Sequence, residues 1–156
     1  MDESEKKVIE NIKEYGCHVM HVAEGEGPNE PRFAYSIGIM KRLKKPELIV
    51  TGLKQDLAHF IVNEYNQRLG SGEEFVPGEY YSDFIGNFDV CFIEVANKHY
   101  DEHFGWAKWY YKGNSFKVLQ LIWPTTDGTW PWDDDASEFY RYSLPILNET
   151  GRLNEI

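Results

Sequence analysis

Trp123, Trp130 and Trp132 fall within residues 123–135 together with Asp127, Asp133, Asp134 and Asp135, and this is the densest concentration of chemically capable side chains in the chain. Tryptophans fixed next to prolines, here Pro124 and Pro131, present flat, stiff, half-polar surfaces suited to stacking a planar ligand or anchoring a partner. Gln120 and Asp127 stand nearby to supply hydrogen bonds. The acidic run has oxygen ligands for a hard cation but lacks the regular spacing of a calcium loop, so it reads as a solvated, negative rim.

A second group is His99-Tyr-Asp-Glu-His103. It fits the H-x-x-E-H pattern in which two histidines one helical turn apart bind zinc and the glutamate activates water. Zinc needs a third protein ligand, and the downstream candidates are only Glu138 and Asp133 to Asp135. The pattern fixes three positions, and the zinc peptidases built on it are far larger proteins. The histidines are read as residues of a surface helix, and no metal ligand or catalytic residue is assigned. His18 and His21 point to opposite faces of a regular strand and cannot chelate one ion. The sequence shows no phosphate-binding glycine loop, nucleophile elbow or cysteine–histidine arrangement with an orienting group. The reading therefore leans away from an enzyme, with a zinc hydrolase or flavin-type redox protein as the enzymatic alternatives.

The elements that must position these groups are legible in outline. Val8, Ile12 and Tyr15 recur at helical spacing, with Asp2 and Glu5 suited to a capping box and Gly16 to a stop, which predicts a helix over 3–15. A broad apolar stripe from Leu57 to Leu69 predicts a second over 54–69, and Tyr100, Phe104, Ala107 and Tyr111 a third over 98–111. Strands are expected over 17–23, taken as interior because neither face is polar, and over 33–40, 47–52, 88–96 and 116–123. Lys41 to Lys45 reads as a solvated turn. Residues 24–31 read as a solvated loop with the makings of a lid. Residues 71–87 read as an irregular connection, too greasy for a linker and suited to walling a pocket. In the 33–40 strand, Ala34, Ser36 and Gly38 share one face and leave room for a packed helix or for a ligand approaching the backbone. The fold class is α+β: a single domain over 1–156 with a mixed sheet of about five strands covered by about three helices.

The chain has 156 residues and a formal net charge of -10, which repels polyanions and argues against duplex nucleic acid. Its two cysteines, Cys17 and Cys91, sit in apolar runs and read as free thiols of a reducing compartment. No stretch reaches membrane-span length and the N-terminus lacks a signal-peptide core, so a cytoplasmic protein is expected.

Tyr35-Ser-Ile-Gly-Ile39, Pro46-Glu-Leu-Ile-Val-Thr-Gly-Leu53, Phe75-Val-Pro-Gly-Glu79 and Gln120-Leu-Ile-Trp-Pro124, continuing to Gly128 and Pro131-Trp132, resemble in their order the bacterial family catalogued as domain of unknown function 4262. The resemblance covers about 16–133 and leaves 134–156 as an acidic, aromatic extension. It implies a common domain and points to Tyr35, Ser36, Gly38, Glu47, Gly52, Gly78, Gln120, Trp123, Pro124, Gly128, Pro131 and Trp132, without implying an activity or a cofactor. The expected function is a non-enzymatic binding protein whose aromatic pocket takes a small planar or nucleotide-like ligand. Its expected site is Tyr35, Ser36, Gly38, Gln120, Trp123, Asp127, Trp130 and Trp132, where the 33–40 strand meets the tryptophan turn. The alternative is an acidic interaction module, immunity-like, regulatory or inhibitory, that presents Asp133 to Asp135 to a basic protein partner.

Overall fold

A computed structural model describes residues 1–152. Its strands are β1 (His18–Val22), β2 (Phe33–Ile37), β3 (Glu47–Thr51), β4 (Tyr80–Ile85), β5 (Phe88–Glu94) and β6 (Val118–Ile122). They form one mixed sheet in the order β1-β2-β3-β6-β5-β4, with β3 and β6 parallel at its centre and every other pair antiparallel. All five residues of β3 and all five of β6 are buried, as continuous apolar strands covered on both faces should be.

The helices are α1 (Glu3–Tyr15), α2 (Ile39–Leu43), α3 (Gln55–Gly70), α4 (Tyr100–His103), α5 (Gly105–Tyr111) and α6 (Glu138–Ser143). Helix α1 begins on the expected capping box, in which Asp2 Oδ1 accepts from Glu5 N and Glu5 Oε1 accepts from Asp2 N, and it ends on left-handed Gly16. On one face of the sheet, α3 packs Ala58, Ile61, Val62, Tyr65 and Leu69 against Leu48, Val50, Phe92 and Leu121. On the other face, Val8, Tyr100, Phe104 and Ala107 close over Tyr35, Ile37, Ile49 and Val118.

The order corrects several expectations. Strand β1 is an edge and not an interior strand, and all five of its residues are half-buried. The segment after Ile37 does not stay extended. Gly38 takes φ +111°, and α2 starts at once because the Glu47 carboxylate accepts from the N–H groups of Gly38, Ile39 and Met40 at 3.1, 3.2 and 3.1 Å. Those are first-turn donors that otherwise lack partners. Residues 71–87 contain β4, hidden from alternation analysis by a break in register between Tyr81 and Ile85 and by Asp83 at φ +72°. The 98–111 helix is broken at Phe104 into α4 and α5, and Trp106 N there donates to Tyr35 Oη at 3.2 Å.

Glu47 organises the end of the sheet where β3 begins. Besides the three N–H donors it accepts from Ser36 Oγ at 2.7 Å and from the Tyr111 hydroxyl, and it is 1% exposed. Burial pushes its carboxyl pKa up, against the pull of the Tyr111, Ser36, Met40 and Gly38 donors. The small-residue face of β2 is thereby divided. Ser36 is spent on Glu47 and on Leu48 N, Ile12 closes over Gly38, and Ala34 packs in the α3 core.

Burial also lowers the pKa of His18, His21 and His103 below 6.5. Below 6.5 the unfolded chain binds protons that the folded chain does not, so stability falls as pH drops from about 6.5 through the lowered folded values. Urea unfolding at pH 7.5 and 5.5 should show a loss of about 1 kcal/mol, allowing for solvent screening, and His18→Gln with His103→Gln should flatten it.

Candidate functional site

The turn after β6 folds on itself before it meets anything else. Thr125 N donates to Thr129 O, and Asp127 Oδ1 accepts from the hydroxyls of Thr125 and Thr129, which holds the Asp127 carboxyl below its ordinary pKa. Asp133 then caps the next corner, its Oδ2 accepting from Trp130 N at 2.8 Å. The two turns bring Trp130 and Trp132 into a parallel stack, with centroids 5.1 Å apart and planes 5° apart, and Tyr80 of β4 meets Trp130 edge-on at 5.3 Å.

Trp132 and Pro131 line a cavity of about 800 Å³. Its other walls come from His99, Glu102 and His103, from Arg141 and Leu144 of and just after α6, from the 145–152 segment and from Asn29 of the β1–β2 loop. Two of those walls are fixed by hydrogen bonds. His99 Nε2 donates to Asn148 O and His103 Nδ1 to His99 O, each at 2.9 Å, which leaves His99 Nδ1 and His103 Nε2 as acceptors. Arg141 Nη2 donates to Asp133 O at 3.1 Å. Neither Arg141 nor Arg152 forms an ion pair with a carboxylate among the described residues. In a chain of net charge -10, two guanidinium groups with no carboxylate partner among the described residues, set against the single Glu102 carboxylate of the same lining, leave this cavity an excess of positive charge.

The expected site residues do not converge. Tyr35 is buried in the core with its ring against Phe104 at 5.1 Å. Ser36 and Gly38 serve the Glu47 anchor at the start of β3, whereas Trp123 Nε1 donates to Thr51 O at the other end of that strand, at 2.9 Å. Four residue steps of strand, about 13 Å, separate those ends. Gln120 faces protein, its Nε2 donating to Pro145 O at 2.7 Å and its Oε1 accepting from Leu147 N at 3.0 Å. Trp123 packs on Tyr140, and Asp127 is held within its own turn. Trp130 and Trp132 are brought together, and of the eight only Trp132 lines this cavity.

The sequence reading missed Arg141, Arg152 and Asn29 as cavity residues. It did single out His99, Glu102 and His103, for another reason. The His99 and His103 rings stand 79° apart with centroids 6.3 Å apart, and among the described residues no group of three or more His, Cys, Asp or Glu is placed to hold a metal ion.

The fold is an α+β sheet whose central parallel pair carries the tryptophan turn at its carboxyl end. The chain belongs to the family described as domain of unknown function DUF4262, whose profile matches residues 11–137. No curated protein and no solved structure matches it. The family match takes in β1 to β6 and the tryptophan turn and stops just before α6, so Arg141 and Arg152 lie beyond the matched residues.

Proposed function

We propose that the protein is a non-enzymatic, cytoplasmic binding protein whose Trp132 cavity takes a small planar anion of nucleotide-like chemistry. The observation that carries this reading is the meeting of the Trp130–Trp132 stack with two arginines that have no carboxylate partner among the described residues. A heteroaromatic ring would continue the stack on Trp132, and the guanidinium groups would hold a phosphate or carboxylate with forked N–H donors. The acceptor nitrogens His99 Nδ1 and His103 Nε2 would receive N–H or O–H donors of the ligand. The free thiols of Cys17 and Cys91, both buried with pKa values pushed up to about 12, suit a reducing compartment.

Titration with adenosine 5′-monophosphate, followed by tryptophan fluorescence, tests it. Saturable quenching is expected, with Trp132→Ala weakening binding about 30-fold and Arg141→Gln about 10-fold, the sizes of a lost aromatic stack and a lost charged hydrogen bond. Quenching that is equal in wild type and Trp132→Ala would place the ligand elsewhere.

A further inference from the structure

We infer a second ligand site, for a small aromatic monocarboxylate, in the cavity between β2, the start of α3 and α6. It encloses about 720 Å³ and lies across α6 from the Trp132 cavity: Phe139, Tyr142 and Ser143 face this side and Arg141 the other. Its space follows from small residues on facing elements. Ala34 on β2 and Ala58 on α3 both line it, and Gly52 turns the chain from β3 towards α3 at φ +76°. Ala34 and Ala58, both packed in the α3 core, form its floor.

Three observations give the occupant its chemistry. Arg32 lines the cavity, is exposed and has no side-chain partner among the described residues. Ser143 also lines it, is 6% exposed, and its hydroxyl makes no hydrogen bond among the described residues. Phe139 lines it with 76% of its surface exposed and pairs with Tyr142, centroids 6.3 Å apart, which gives the cavity an accessible aromatic wall. One cation, one hydroxyl and an aromatic wall match a ring bearing a single carboxylate, held as a bidentate pair by Arg32. Helix α3 begins at this cavity with Gln55; its N-cap residue Lys54 provides no side-chain cap, but Asp56 in the first turn accepts from Leu57 N at 2.9 Å and offsets the positive helix end, so Arg32 is the charge that selects an anion. Glu24, also in the lining and bonded to the Tyr142 hydroxyl, sets a limit on that charge: a phosphate dianion would meet a carboxylate at the rim.

The test is calorimetry of the full chain with naphthalene-2-carboxylate and with its neutral isostere naphthalene-2-carboxamide, alongside amide NMR shift mapping. The expected result is micromolar-range binding of the carboxylate, at least 10-fold weaker binding of the amide, and shifts centred on Arg32, Gln55 and Ser143. Arg32→Gln and Phe139→Ser change exposed side chains, so both variants should fold, and each should weaken the carboxylate by about 10-fold or more. Trp132→Ala should leave this binding unchanged, which separates it from the site proposed above. Equal affinity for carboxylate and amide, no effect of Arg32→Gln, or shifts centred on Trp132 would each overturn the inference.

Discussion

Glu47→Ala is expected to destabilise the fold by about 4 kcal/mol, the range for removing one partner from a buried, fully bonded charged group. The substitution strands three N–H groups and two hydroxyls at a site that is 1% exposed. Such a loss is a large part of the stability of an ordinary domain, so the variant should be largely unfolded at 37 °C. Glu47→Gln separates shape from charge. It keeps one acceptor but turns an NH2 group towards the Gly38 and Met40 donors or towards Ser36 and Ile39, and should lose about 2–3 kcal/mol. Tyr111→Phe removes a single donor and should lose about 1 kcal/mol. Urea unfolding ranks the three. Equal stability of Glu47→Ala and wild type would show that the carboxylate does not anchor α2.

Gln120→Ala is expected to lose about 3 kcal/mol and the Trp132 cavity together. Gln120 is 0% exposed in the middle of β6, and its two polar atoms engage the backbone of Pro145 and Leu147. Removing the amide leaves a buried donor and a buried acceptor unpaired and opens a void beside them. Leu144 to Leu147 wall the cavity, so the segment released from β6 is a wall of the proposed binding site. Hydrogen exchange should show new opening of the Leu147 amide while the α1 and α3 amides keep their protection relative to the lowered global stability. Gln120→Glu is the informative partner, because it retains the acceptor for Leu147 N but directs negative charge at Pro145 O. It should lose nearly as much as the alanine variant, which is not expected if only volume matters.

Local signals in the sequence located the elements that carry their own caps and periodicity. Helix α1 is announced by Asp2, Glu5 and Gly16, helix α3 by its stripe, and β3 and β6 by unbroken apolar runs. What the sequence concealed is tertiary. His-Val-Met-His-Val carries no Lys, Glu or Pro of the kind that usually marks an edge, so β1 read as interior. Tyr80 to Ile85 loses its alternation at a register break, so β4 read as loop. The expected ligand pocket joined Gly38 to Trp123, but β2 runs antiparallel to β3 while β6 runs parallel to it, and this sends those two residues to opposite ends of the sheet. Of that site the aromatic half, Trp130 with Trp132, was legible because prolines and turn residues fix it locally. Its polar half comes from residues 99–103 and 141–152, and only the order of strands brings them within reach.

If the Trp132 cavity holds a planar anion, native mass spectrometry of the protein purified from its own cells should show a retained small molecule that is released on denaturation, carries an aromatic or heteroaromatic ring and a phosphate or carboxylate, and is absent from the Trp132→Ala and Arg141→Gln variants. The same adduct on the Trp132→Ala variant would rule out this cavity as the site, as would a bare chain that also fails to bind nucleotides and aromatic carboxylates at millimolar concentration.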